Sequence, residues 1–363
     1  MPPSPDRLDK LTGVLLGAAV GDALGLPREG LSRRRAARMY GEGPLHHRFF
    51  FGRGLLSDDT EHACMTAQAL LAAPDDDVAF ARSLAWRLRG WFAALPAAVG
   101  WGTLRAIVRL WCGIPPARSG VASAGNGAAM RAPVLGVCLA HDGDRLESAV
   151  RASTRMTHRD PRAEEGALAI AIAAAHAATR APEDINADAV IAEIQARICC
   201  EELARRLDLV AAAVARGASA REFAATIGCE EGVSGFILDT VPAALFAWLS
   251  SPGDARGAIE RVIKMGGDAD STGAITGGLA GATTGASGLP AEWIEGIRDW
   301  PRSIGWIRRL AARLAAQFPG DSSAALATTP GPLGLFWPAI PARNLLFLAV
   351  ALAHGFRRML PPY

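Results

Sequence analysis

Residues 12–25 read TGVLLGAAVGDALG and residues 271–285 read STGAITGGLAGATTG. Glycine returns at every fourth position in both: Gly13, Gly17, Gly21 and Gly25 in the first, Gly273, Gly277, Gly281 and Gly285 in the second. At 3.6 residues per turn such a series forms one narrow, slowly drifting stripe on a helix. An interior glycine costs about 0.5–1 kcal/mol relative to alanine, so four in one helix cost roughly 2–4 kcal/mol that burial has to offset. Close approach of two backbones, or of a backbone and a ligand, supplies that offset. The spacing therefore predicts two central, closely packed helices that hold Asp22, Asp268 and Asp270 near one another. The glycines alone leave open a purely packing role, with the acids as ordinary helix caps.

Two short acid runs adjoin these helices, Ser57-Asp58-Asp59 and Asp268-Ala269-Asp270. Crowded carboxylates resist ionising unless something positive sits between them, which points to a shared site for hard cations. Asp58-Asp59-Thr60-Glu61 also fits a capping box, but that accounts for one acid and leaves its neighbour unexplained. Asp268 and Asp270 face the same way only on an extended backbone, because a regular helix sets i and i+2 about 200° apart. Both are therefore expected on a turn entering the helix, with Gly266 and Gly267 as its permissive backbone. Ligands that are all oxygen favour Mg²⁺ or Mn²⁺ over zinc. Asp58, Asp59, Asp268, Asp270 and Glu29 carry five negative charges, which two divalent ions largely neutralise and one does not.

Composition sets the outer bounds. The chain has 363 residues, half of them hydrophobic and a fifth charged, as a globular protein of one large domain or two would have. A net charge of +2 gives no electrostatic case for nucleic acid, and no helix-turn-helix, zinc-finger or RNP pattern appears. The six cysteines form no CxxC, so a structural zinc site is not expected. MPPSPDRLDK, the opening stretch, has no apolar signal core, and a reduced cytoplasmic compartment is the expectation.

Helical patterning dominates, over 8–24, 60–71, 78–95, 103–111, 128–139, 162–178, 187–215, 235–249, 272–286 and 301–317, with almost no two-residue alternation. The fold class read from this is all-α, with no GxGxxG or Walker lysine. Residues 27–56 read as a long loop and lid candidate carrying Glu29, His46 and His47. His46, His47 and His62 are expected at the surface or in loops. Residues 319–341 read as a linker, which divides the chain into 1–320 and a C-terminal appendage, 321–363. Within the appendage LLFLAVALA (345–353) suggests a helix over 342–358. Its length of about 25 Å falls short of a membrane span, so burial in the core or in a dimer interface is expected. Nothing in the sequence fixes an oligomeric state.

GVLLGAAVGDALGLPRE, SDDTEH, SAGNGAAMRAPVLG, a Thr-His pair and GGDADSTGAITGGLAGA occur one after another in this order. Together, over about residues 9–290, they resemble the ADP-ribosylglycohydrolase family. The resemblance implies an orthogonal multi-helix bundle with a dinuclear Mg²⁺ or Mn²⁺ centre. It further implies hydrolysis of the bond between the anomeric carbon of ADP-ribose and an acceptor, a protein side chain or small molecule. Carried across by motif, the metal ligands are Ser57, Asp58, Asp59, Asp268, Asp270 and Ser271. Glu29 matches the family's mobile acid, a candidate general acid or base beside Asp58 and Asp59, and Asp22 reads as a structural partner.

On the same basis Asn126, Gly127 and Ala128 wrap the pyrophosphate and neighbouring ribose, and His158 contacts the ligand. The residues agree in part: GNGAAMR opens a helix, and free amides at a helix N-terminus bind phosphate. Arg131, one turn in, either touches phosphate or braces the site through a carboxylate. In one respect the chain departs from several relatives, which carry an acid just before the segment that here reads Val99-Gly100-Trp101-Gly102-Thr103; Ala97 and Ala98 precede it. A dinuclear phosphohydrolase acting on a nucleotide pyrophosphate and a non-catalytic ADP-ribose-binding or toxin-neutralising protein are the competing readings.

Overall fold

A computed structural model describes residues 5–97, 99–320 and 330–361. Among the described residues there are eighteen α-helices and one pair of two-residue strands, Leu31–Ser32 antiparallel to Gly266–Gly267. The fold is all-α.

Helices Pro5–Gly25 and Ala269–Thr284 run antiparallel through the centre, glycine against glycine. A Cβ built on Gly13, Gly17 or Gly21 would overlap the carbonyl oxygen of Gly281, Gly277 or Gly273 respectively. At the end of the seam a Cβ on Gly25 would strike Ala269 and Asp270. Without side chains between them, the two backbones are in direct contact. Leu11, Leu15, Val20, Ile275 and Leu279 lie off the stripe and are fully or nearly fully buried among surrounding helices, including Pro161–Thr179 and Ile237–Leu249. The antiparallel register sets the C-terminal end of the first helix, with Asp22, beside the N-terminal end of the second, with Asp268 and Asp270.

Several expected boundaries shift for identifiable reasons. The run 128–139 is a 3₁₀ turn, Asn126–Arg131, succeeded by an α-helix, Ala132–Cys138. Pro133 has no N–H to give and its ring crowds the carbonyl four residues back, so the α-helix begins there rather than earlier. The run 187–215 is two helices, Ala187–Gln195 and Glu201–Ala215. Between them the Cys199 and Cys200 amides turn to the Glu165 carboxylate, at 2.8 and 2.6 Å, which satisfies donors that a new helix leaves free.

The stretch 27–56 is not an open loop. It contains the short strand and a helix, Arg33–Tyr40, whose N-terminus is capped by Ser32 Oγ accepting from the Arg35 amide at 3.3 Å. Arginines fill this helix, so it lacks the apolar period by which a helix is recognised in sequence.

The C-terminal helix spans Ala339–Arg358, about 30 Å at 1.5 Å per residue. By length and composition alone it would suit a membrane span, yet it is docked along one side of the helical body. Of the expected burial in the core or in a dimer interface, the core part is met on one face only: Ala339, Ile340, Asn344 and Phe347 are buried, whereas Leu345, Leu348, Leu352 and Phe356 face outward. Of the linker, 321–329 lies outside the described residues. The part from 330 to 338 is fastened to the body, since Gln68 exchanges two hydrogen bonds of 2.7 Å with the Leu333 backbone.

The seam predicts opposite effects for one substitution at two places. Gly277→Ala should lower unfolding stability by about 1–3 kcal/mol, the cost of overpacking. Gly355→Ala, in an exposed helix with nothing within 4 Å of the new methyl, should raise it by up to about 1 kcal/mol. Denaturant titration of both variants checks this, and a shift of the same sign in both would rule out the seam as described.

Candidate active site

The first acid run sits at the start of helix Asp58–Ala72, with Ser57 as its N-cap. Ser57 Oγ accepts from the Asp59 amide at 3.2 Å. Two more amides of that helix end are met from another helix: Asp22 Oδ2 accepts from the Ser57 amide at 2.9 Å, the Thr60 amide at 3.3 Å and the Thr60 hydroxyl at 2.5 Å. Burial pushes the Asp22 carboxyl up to about 6 against the pull of these hydrogen bonds. Asp22 is thus a cap across helices, away from the cavity wall, as its structural reading required.

The second run begins on left-handed backbone. Gly266 and Gly267 have φ of +79° and +81°, and a Cβ on Gly267 would overlap the Val233 carbonyl. Asp268 is the N-cap of Ala269–Thr284, and its amide donates to Val233 O at 2.7 Å. Asp270 already lies in the first helical turn, so only Asp268 sits on the entering turn that was expected to carry both. Ser271 Oγ donates to Asp59 Oδ2 at 3.2 Å and joins the two runs directly, across 212 positions of sequence.

Glu29, Asp58, Asp59, Asp268, Asp270 and Ser271 together form one side of a cavity of about 740 Å³. Its size is that of a small-molecule site. Burial, and then the neighbouring carboxylates, hold Asp58, Asp59 and Asp270 well above the usual carboxylate range. Glu29 is raised by burial and by Asp268, with Arg358 opposing. Asp59 Oδ1 is buried without a hydrogen-bond partner. Oxygen donors, unpartnered lone pairs and crowded negative charge suit a hard divalent cation. Among the described residues no three His, Cys, Asp or Glu side chains are already closed to single-ion spacing, so water, hydroxyl or ligand oxygens would have to complete any coordination.

The opposite wall is built from backbone and one imidazole. Cβ atoms on Gly102, Gly125 and Gly127 would all crowd the His158 ring, at 2.9–3.3 Å from its nearest atoms. His158 Nδ1 lies 2.9 Å from Thr157 Oγ1, and burial with nearby Arg131 brings its pKa down to about 3. The ring facing the cavity is therefore neutral at physiological pH. Asn126 reaches across, donating from Nδ2 to Asp268 Oδ2 at 2.8 Å and to Thr240 Oγ1 at 3.1 Å.

Not every expected site residue reaches the cavity. Arg131 is fully buried and donates to Gly127 O at 2.5 Å, Ser153 and Thr157. It touches neither the cavity nor a carboxylate; it holds the Gly127 turn and the Thr157-His158 pair from behind. Ala128 is buried off the lining, and Ser57 faces a smaller cavity behind the acids. His62 is a core residue, set edge-on to Trp91 at 4.7 Å with neither ring nitrogen hydrogen-bonded, and burial keeps it well below the ordinary histidine range. His47 is also buried, with Nε2 2.7 Å from Trp293 O. Glu29, which does line the cavity, comes after a 3₁₀ turn and precedes Gly30, whose amide donates to Gly267 O at 2.7 Å, next to the second run.

Sequence reading missed the segment Glu231–Gly235, which completes the rim. Gly232 packs on Gly267, Val233 pairs with Gly266, and Gly235 O accepts the Asn126 amide at 3.0 Å. The turn-rich CEEGVSG was the available signal. Trp101 stands 71% exposed at the mouth, in the segment where an acid is lacking.

The ADP-ribosylglycohydrolase family profile matches residues 3–324. Among similar proteins is an ADP-ribosyl-[dinitrogen reductase] glycohydrolase of Rhodospirillum rubrum, 29% identical over 80% of this chain and 91% of its own length. An ADP-ribosylarginine hydrolase Tri1 of Pseudomonas putida is 30% identical over 86% of this chain and 79% of its own. A solved structure described as an ADP-ribosylglycohydrolase-related protein complex superposes with a TM-score of 0.64 at 28% identity, over 86% of this chain and 98% of that one.

The raised carboxyls fix the sign of a pH effect. A carboxyl whose folded pKa exceeds its unfolded value, about 3.9, holds a proton more tightly when folded, so stability falls as pH rises through the folded value. In chelator, Asp59→Asn should therefore melt at a higher temperature than wild type at pH 8, with the gap closing as pH falls toward about 4. Thermal melts across that range read it directly; a gap independent of pH would contradict the electrostatic account.

Proposed function

The chain belongs to the ADP-ribosylglycohydrolase family, and from that premise we propose that it is a metal-dependent hydrolase cleaving the glycosidic bond between ADP-ribose and an acceptor. Hydrolysis of ADP-ribose linkages is the activity of the family. The metal requirement and the acceptor are our reading. The observation that carries it is the Ser271–Asp59 hydrogen bond, which closes two distant acid runs into one carboxylate face on a nucleotide-sized cavity.

In this reading Ser57, Asp58, Asp59, Asp268, Asp270 and Ser271 hold two Mg²⁺ or Mn²⁺ ions, which supply Lewis acidity and a water of lowered pKa when bound. Ser57, off the main cavity, contributes from behind or through Asp59, to which its hydroxyl is 3.2 Å. Asn126, the glycine turn and neutral His158 receive the nucleotide moiety and orient the ribose toward the acids. Carboxylates facing the sugar stabilise the positive charge that develops at the anomeric carbon as the bond lengthens. Glu29 keeps its proton to higher pH than an ordinary glutamate and so serves as acid toward the leaving group or, once ionised, as base toward water. Trp101 and the 231–235 rim face the side from which an acceptor approaches. The six free cysteines suit a reducing cytoplasm.

The test is incubation with Mg²⁺ or Mn²⁺ and a panel of arginine-, serine-, base- and metabolite-linked ADP-ribose. Free ADP-ribose is the expected product; AMP would indicate a phosphohydrolase, and binding without release a non-catalytic receptor. Asp268→Asn should reduce kcat/KM on the order of 100-fold or more while the helical circular dichroism stays unchanged.

A further inference from the structure

Helix Ala339–Arg358 lies beyond the segment 3–324 matched by the family profile, yet it is hydrogen-bonded to the chain segments that deliver Glu29 and Asp58-Asp59 to the cavity. Its Arg343 is nearly buried and pairs with Asp299 at 2.5 Å, with Glu61 3.5 Å from the same guanidinium. Asp299 accepts the Leu56 amide at 3.0 Å, and Arg343 donates to the Leu56 carbonyl oxygen. One ion pair thus holds both backbone polar groups of the residue immediately before Ser57-Asp58-Asp59. Fifteen residues on from Arg343, Arg358 donates to Pro27 O at 3.2 Å, two residues before Glu29. Between these anchors a cavity of about 70 Å³ is bounded by Glu29, Asp58 and Asp270 on one side and by Phe347, His354 and Arg358 on the other.

A buried ion pair recovers its desolvation cost only when further hydrogen bonds saturate it, and here the Leu56 peptide groups do so. Such a pair gives direction more than net stability. We propose that this helix is the back wall of the acid site and that Arg343, acting through Asp299 and Leu56, is a positioning residue that sets the angle at which Asp58 and Asp59 enter the cavity. The inference rests on the acid face being the reacting face. Simple docking of the helix is the rival account, and Asn344 separates the two: it anchors the same helix through Nδ2 to Ala94 O at 2.8 Å, and although its Oδ1 accepts from Arg343 Nη1 at 3.3 Å, the bonds to Asp299 and Leu56 are made by Nε and Nη2.

The experiment uses the full chain and three variants: Arg343→Met, Arg343→Lys and Asn344→Leu. Amide hydrogen exchange over residues 56–59 is read without metal, and Mn²⁺ alone is titrated by calorimetry. Arg343→Met should speed exchange there about tenfold or more and weaken Mn²⁺ binding about 10–100-fold, the range for outer residues that orient ligands. Asn344→Leu should change neither by more than about twofold, and Arg343→Lys, which keeps the charge but not the fork, should fall between. Wild-type exchange in Arg343→Met, or an equal effect from Asn344→Leu, would overturn the proposal. If Arg343→Met does not fold, Arg343→Lys against Asn344→Leu makes the same comparison. Absence of Mn²⁺ binding by the wild type would instead refute the metal reading of the site, and the exchange data would still decide the role of Arg343.

Discussion

Backbone contact between two glycine-striped helices is the constraint on which the site depends. Glycine meets carbonyl along the whole seam, so neither helix can rotate or slide without driving backbone into backbone. That fixed register brings Asp22 to the first turn of one acid-bearing helix and sets it beside the N-cap Asp268 and the first-turn Asp270 of another. Glycines at every fourth position would be a poor choice for a helix standing alone. Here they are the means by which two short acid runs, more than two hundred residues apart, come within one hydrogen bond.

The site this produces is electrostatically unsettled. Five carboxylates crowd one side of the cavity, and those in the closest quarters are pushed toward their neutral forms by burial and by one another. Elsewhere in the protein buried charge is balanced with care: Glu61 is met by Arg302 at 2.5 Å, and Asp299 by Arg343. Arg131, which has no carboxylate among its hydrogen-bond partners, is held by carbonyl and hydroxyl oxygens. The contrast marks the acid face as the place where stability is set aside for chemistry.

The glycine stripes and acid runs were legible because each is a local pattern with a single costly physical explanation. Asn126, Gly127 and His158 were legible only through ordered motifs, since a lone histidine or a glycine turn has many uses. Arg131 was misread for an instructive reason: position one turn into a helix says nothing about which way a long side chain points, and here it points inward. His62 looked polar and proved to be core, held by Trp91 rather than by hydrogen bonds. Helix Arg33–Tyr40 and the rim 231–235 carry no apolar period, and they are held by capping and backbone pairing that single-sequence patterning does not register. The C-terminal helix was recognised by composition, but its docking depends on Arg343, Asn344, His354 and Arg358, polar residues that look like ordinary surface charge in the sequence.

That last helix bears on how the protein can be handled. Its outward leucines and Phe356 form the sort of apolar strip that invites self-association at high concentration, and trimming the tail would be the natural remedy. Removal would take Arg343 away and uncover the Asp299 carboxylate together with the Leu56 peptide groups that the pair holds. Replacing Leu345, Leu348 and Leu352 with polar side chains would improve solubility while leaving the inward-facing arginine in place.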